Sequence, residues 1–177
     1  MANGLILYRS KYGATEKYAL WLKEAAGFDC IETKKADAKT AQPYDTIVLM
    51  GGVYAGGVAG LDFLKKHFEA LKGKRIFLFA VGASPYDEKA LAEGMSRCLK
   101  GELAGLPCFY GRGMWDLEKM NFADRTLCKM LLKATAKQDP ATFEPWQAAL
   151  ASVKPGESCD WTDKSYLEPL LAALREG

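Results

Sequence analysis

Directly after the apolar run GLILY at 4–8 come Ser10, Lys11, Tyr12, Gly13, Ala14 and Thr15. Two hydroxyls, a glycine and a lysine thus stand where a strand gives way to a helix. A helix start exposes amide N–H groups that lack intrahelical acceptors, and its dipole favours an anion there. Ser10 and Thr15 add hydroxyls and Gly13 lets the backbone turn closely, a combination suited to a phosphate. The stretch lacks the GK[ST] ending of a nucleotide P-loop and the GxGxxG of dinucleotide folds, so a single phosphomonoester fits better than ATP or NAD. The same six residues are also compatible with an ordinary strand-to-helix turn capped by a hydroxyl.

Two further glycine-containing stretches stand at equivalent places after later strands. Gly51 and Gly52 precede Val53, Tyr54 and Ala55, and Gly56 and Gly57 follow them; Gly82, Ala83, Ser84, Pro85 and Tyr86 form the third stretch. Glycines let a backbone approach a flat ligand closely. Tyrosines on two neighbouring loops could hold an aromatic ring system between them by offset stacking, or could be rim residues. A phosphate cradle beside two aromatic loops is what flavin mononucleotide (FMN) needs.

The elements that must position these loops are legible as alternating strands and helices. Apolar runs at 4–8, 28–32, 46–50, 75–81 and 106–110 are continuous rather than alternating, which means burial on both faces in a parallel sheet covered by helices. Helical spacing predicts helices over 14–26 (Ala19, Leu22 and Ala26 inward, Gly27 as stop), 61–72 (Leu61, Leu64, Phe68, Leu71), 87–100 (Leu91, Met95 and Cys98 or Leu99) and 163–175 (Tyr166, Leu170, Leu171, Leu174). A further helix over 122–137 is expected to turn Leu127, Met130 and Leu131 inward. The connection 33–44 and the proline-interrupted stretch from 137 to 162 carry no clear pattern. A length of 177 residues and the absence of a linker favour one domain over 1–177. In open parallel sheets, ligands bind beyond the carboxyl ends of strands where the strand order reverses, and the three glycine loops all follow strands.

Composition narrows the function classes. Lysine and arginine number 24 against 22 acidic residues, a formal charge of +2 without a basic stripe, so no nucleic-acid partner is expected. Five cysteines without a CxxC pair suit a reduced compartment, and the N-terminal segment is too short and uncharged for a leader or a membrane span, so a cytoplasmic location is expected. There is no metal-ligating spacing. His67 stands among lysines on the outer side of its helix and is read as a surface residue.

At 6–15 the run I-L-Y-R-S-K-Y-G-A-T resembles the phosphate loop of the flavodoxin family, in the variant seen in flavodoxin-domain oxidoreductases such as the menaquinone-dependent protoporphyrinogen dehydrogenases. GGVYAGG at 51–57 is similar to the family's second flavin loop and GASPY at 82–86 to its third. Lys11, Tyr12 and Ala14 depart from the T-x-[ST]-G-N-T loop of the electron carriers. The resemblance implies a flavodoxin-like doubly wound α/β fold, with a five-stranded parallel sheet of order 2-1-3-4-5, helices on both faces and a helical insertion after the fifth strand. It implies FMN as cofactor, held by Ser10 to Thr15, Gly52 to Gly57 and Gly82 to Tyr86, and no catalytic side chain. It also implies electron transfer to or from a quinone, porphyrinogen or similar flat molecule; the alternatives are a carrier between redox partner proteins and a flavin-free binding module. The insertion at 112–137 resembles that of the protoporphyrinogen dehydrogenases, which implies a large substrate or peripheral membrane contact there. Its apolar residues could equally be packed inward.

Overall fold

A computed structural model describes residues 3–54 and 56–176. Its central sheet holds β1 (Gly4–Arg9), β2 (Asp29–Glu32), β3 (Thr46–Tyr54), β5 (Arg75–Gly82) and β6 (Cys108–Arg112), all parallel in the order β2-β1-β3-β5-β6. A two-residue strand, β4 (Gly57–Val58), turns back antiparallel on the end of β3. With β4 set aside, this is the expected 2-1-3-4-5 order of five parallel strands. The chain leaves β1 toward β2 and returns to β3 on the other side of β1, so the strand order reverses between β1 and β3.

The unbroken apolarity of the strands is explained by two cores. Leu5, Leu7, Ile47, Leu49, Leu78 and Ala80 point to one face, where they meet α3 (Leu61–Leu71) and α4 (Glu88–Cys98) through Leu64, Leu71 and Met95. Their neighbours Ile6, Val48, Met50, Phe77, Phe79 and Val81 point the other way, against α1 (Ala14–Ala26) and α7 (Glu168–Arg175) through Tyr18, Leu22 and Leu170. Each fully buried side chain of this size contributes roughly 1.5–3 kcal/mol, so the sheet with its four covering helices forms the rigid platform of the molecule.

The connection 33–44 contains a short helix, α2 (Ala38–Ala41), started by a capping box in which Asp37 and Thr40 bond each other's amides. Beyond β6 the chain forms β7 (Met114–Trp115), α5 (Phe122–Thr135), α6 (Pro145–Ala151) and β8 (Cys159–Asp160), with β7 and β8 paired as a separate antiparallel ribbon. The sequence pattern shows α5 but not the ribbon, whose strands are two residues long. No helix among the described residues is long and apolar enough to cross a membrane.

One expectation fails in α5. Leu127 and Met130 are not packed inward but are 50% and 62% exposed, as is Phe122 at 86%. The helix turns Asp124, Arg125, Cys128, Leu131, Leu132 and Thr135 toward the protein instead. Arg125 decides this orientation, donating to the carbonyls of Leu117, Glu118 and Met120 at 2.8, 2.5 and 3.0 Å.

Candidate functional site

The loops after β1, β3 and β5 gather at the carboxyl edge of the sheet, next to the reversal of strand order, and β1 and β5 flank β3 in the sheet. Every described residue expected from the sequence to hold the cofactor lies on one of these loops or at the end of the element beside it; Ala55 falls outside the described residues.

In the first loop, Gly13 is the residue preceding α1, with a left-handed φ of 98° that favours glycine. An added Cβ there would meet nothing, so the glycine answers to backbone conformation and not to crowding. The Ser10 hydroxyl accepts from the Gly13 amide at 3.1 Å, and α1 has no side-chain cap. The first amide of the helix to find an acceptor is that of Lys17, which reaches Gly13 O at 3.0 Å. The N–H groups of Ala14, Thr15 and Glu16 therefore have no intrahelical acceptor, and Thr15 is only 3% exposed. The chemistry of this donor set fits an anion, because neutral donors converge on an uncapped helix start.

Lys11 and Tyr12 are engaged elsewhere. Both the Lys11 ammonium and the Tyr12 hydroxyl contact the carboxylate of Asp124, in the first turn of α5. Asn121 caps α5 by accepting from the Asp124 amide at 2.9 Å, and its own N–H reaches the Tyr12 hydroxyl at 3.3 Å. Hydrogen bonding from Lys11, then from Tyr12, holds the Asp124 carboxyl below the usual range, and its carboxylate raises Lys11 in return. The insertion is thus fastened to the first loop.

The second loop is a tight hairpin, with Val53 opposite Val58 and Tyr54 opposite Gly57. Gly51 is required by backbone crowding, and Gly52 leaves room for the Tyr54 ring. A Cβ on Gly51 would collide with the Ala59 carbonyl, and one on Gly52 would lie 2.6–2.9 Å from the Tyr54 ring and hydroxyl. Tyr54 lies back over Gly52 and is 42% exposed, while partial burial, aided by Tyr12 and Asp124, pushes its pKa up to about 12. Lys11 Nζ stands 5.6 Å from the Tyr54 ring centre and 5.7 Å from that of Tyr12, linking the first two loops. On the far side, the Cys98 thiol at the end of α4 donates to Gly56 O at 2.8 Å.

In the third loop three successive carbonyls are captured by β6 and the residue after it. Gly113 N–H donates to Gly82 O at 2.7 Å, Arg112 Nε to Ala83 O at 2.9 Å and the Tyr110 hydroxyl to Ser84 O at 2.6 Å. With the carbonyls turned to the protein, the amides of Ala83, Ser84 and Tyr86 have no partner among the described residues. This leaves a row of donors for the polar edge of a ring. Tyr86 is 53% exposed at the loop's end, its ring centre 6.3 Å from that of Tyr110.

Two grooves of about 400 and 190 Å³ run along the free edge of β6, sharing Tyr86, Leu91 and Cys108. They touch the third loop at Tyr86 and do not reach the first loop. The supports of the site, namely Asp124, Tyr110, Arg112 and Cys98, are not assigned to it in the sequence reading. Only the N-F-A-D spacing at 121–124 hinted at a capped helix start, and nothing in it pointed to Lys11.

A family model described as "Flavodoxin domain" matches residues 5–142. No curated protein matches the chain. Among solved structures, it is similar to the two-electron reduced flavodoxin of Megasphaera elsdenii, at 19% identity and a TM-score of 0.45 over 60% of this chain and 82% of that one. A flavodoxin, WrbA-like protein from Agrobacterium tumefaciens matches at 17% identity and a TM-score of 0.43, over 71% and 88% of the two chains. Oxidised flavodoxin 1 from Bacillus cereus matches at 14% identity and a TM-score of 0.41, over 86% and 100%. With the family model spanning most of the chain and with helix-start and loop donors that fit a phosphorylated flavin, the protein belongs to the flavodoxin domain family and has FMN as its cofactor.

Proposed function

We propose that the protein is an FMN-dependent oxidoreductase that exchanges electrons with a flat small molecule, a quinone or a porphyrinogen, in the manner of the protoporphyrinogen dehydrogenases its loops resemble. Bound FMN supplies the electron-accepting and electron-donating chemistry, so no side chain is assigned a nucleophilic or acid-base role. The observation that carries the reading is the meeting of an uncapped helix start with two tyrosine-bearing loops at one sheet edge. Ser10, Gly13 and Thr15, with the first amides of α1, hold the phosphate. Lys11, Tyr12 and Ala14 complete that loop, with Lys11 and Tyr12 bracing it through Asp124. Gly52 to Gly57 and Gly82 to Tyr86 flank the ring, Tyr54 and Tyr86 offering aromatic faces and the amides of Ala83 and Ser84 offering donors.

A small-molecule substrate is supported over a protein partner by charge. Docking between carrier proteins is accelerated by complementary fields, and a net charge of +2 with interspersed signs provides little of that. The exposed Phe122, Leu127 and Met130, with exposed Lys119, Lys129, Lys133 and Lys137 around them, support peripheral contact of the insertion with a membrane, where an apolar substrate would reside. The test is turnover of purified, FMN-loaded protein with soluble quinones or protoporphyrinogen in the absence of any other protein. Turnover supports the proposal. Strict dependence on a reductase partner would replace it with electron carriage between proteins.

A further inference from the structure

The third loop is held by one charged residue that has no carboxylate partner among the described residues. Arg112 ends β6, and its Nε donates to Ala83 O at 2.9 Å. Its guanidinium lies 3.8 Å from the ring centre of Trp161, which directly follows β8. The Trp161 amide bonds Gly113 O at 3.0 Å, while Gly113 N–H bonds Gly82 O at 2.7 Å, so tryptophan, arginine and loop form one connected block. Tyr18 fastens the same block to α1. Its buried hydroxyl donates to Arg112 O at 2.7 Å and accepts from Asp163 N at 3.2 Å.

Among the described residues Arg112 has no carboxylate within ion-pair distance, although Asp160 and Asp163 both lie in the segment packed beside it. Asp160 is taken by Lys17 at 2.8 Å and by the Thr162 amide and hydroxyl, and Asp163 by the Ser165 amide. An arginine is always protonated, and a planar guanidinium stacked on an indole keeps a fixed orientation. A permanent positive charge therefore stands against the carbonyl of Ala83 in a loop whose Ala83 and Ser84 amides have no partner among the described residues.

Resting on the FMN reading of that loop, we infer that Arg112 is a positioning residue that sets the redox poise of the flavin. It orients the Ala83 and Ser84 amides toward the ring's polar edge, and its unpaired charge favours the electron-rich reduced ring over the neutral oxidised one. Trp161 is the platform that keeps the charge in place. The C-terminal ribbon is on this account a support of the redox site and not an appendage of the fold.

The test is the dissociation constant of oxidised and of chemically reduced FMN, measured anaerobically for wild type, Arg112→Gln and Arg112→Lys. The Gln variant keeps an amide donor and loses the charge. It is expected to bind oxidised FMN within about threefold of wild type and reduced FMN about tenfold more weakly, a fall of about 30 mV in the two-electron midpoint potential. Arg112→Lys keeps the charge and is expected to retain the wild-type ratio. A Gln variant that holds FMN at the wild-type ratio overturns the inference, as does a Lys variant that falls as far as Gln. Should Gln unfold by circular dichroism, the neutral Arg112→Met is measured in its place, and a wild-type ratio there overturns the inference. Wild-type protein that takes up no FMN would instead sink the reading of the loop.

Discussion

The carboxylate of Asp124 receives the ammonium of Lys11, joining the first turn of α5 to the loop that precedes α1. The Tyr12 hydroxyl, 112 residues away in the chain, meets the same carboxylate. Lys11 is thereby spoken for within the protein, which leaves the neighbouring helix start to neutral donors. The pair is partly open to water, with side chains 44% and 26% exposed, so its worth lies in holding two segments together more than in stability. Asp124→Asn should lower stability by less than about 1 kcal/mol in urea unfolding. It should nevertheless speed hydrogen exchange in both 10–13 and 117–126. Faster exchange in only one of these segments would show that they are not coupled.

The same contact fixes a pH dependence. The Asp124 carboxyl is held below its ordinary value of 3.8 in the folded protein, so its contribution is fully present above the unfolded value and is lost as pH falls through the folded one. Lys11 and Tyr12 are raised above 10.5 and 10.0, which leaves them protonated at neutral pH. Exchange protection of 117–126 should be flat from about pH 5 to 8 and decline only below about pH 4. A decline centred near neutrality would show that another group carries the link.

Gly13 and Gly51 should fail differently when changed to alanine. At Gly13 space is free and the strain is that of a left-handed backbone, worth roughly 1–2 kcal/mol. At Gly51 the added methyl meets the Ala59 carbonyl, so β3 or the second loop must move, at a cost of about 3 kcal/mol or more. Urea unfolding of the two variants gives the order directly. Equal losses would place the second loop farther from β3 than described.

Tyr18→Phe removes a fully buried hydroxyl that serves both Arg112 O and Asp163 N, one at each side of the C-terminal segment. The loss should be about 1–3 kcal/mol, because a buried acceptor is left without its donor. Leu127→Lys and Met130→Lys should stay within about 0.5 kcal/mol of wild type, as exposed positions do. Leu127→Glu and Met130→Glu, which remove apolar surface and add no positive charge, should reduce co-sedimentation with vesicles rich in anionic lipid. Unchanged sedimentation would remove the proposed membrane contact.

The platform was far more legible in the sequence than the devices fastened to it. Five continuous apolar runs meant a sheet covered on both faces, and alternate residues such as Leu5 and Ile6 indeed feed opposite cores. The three loops followed from strand ends and glycines. The orientation of α5 did not, because Leu127, Met130 and Leu131 look like a core stripe to any periodicity argument, while the tie that turns Leu127 and Met130 outward is made by Arg125 to three carbonyls. Asp124 and Arg112 were hidden for the same reason. Their partners, Lys11 and Ala83, are brought to them by topology, and a charged residue in a sequence does not name what it will meet.

The most direct test compares FMN with riboflavin, which lacks only the phosphate, by titrating each into wild type, Ser10→Ala and Thr15→Val while following quenching of flavin fluorescence. If the start of α1 holds the phosphate, wild type binds FMN at least about tenfold more tightly than riboflavin, about 1.4 kcal/mol, and both variants narrow that preference with riboflavin affinity unchanged. Equal affinity for the two ligands, or no uptake of either, would contradict it.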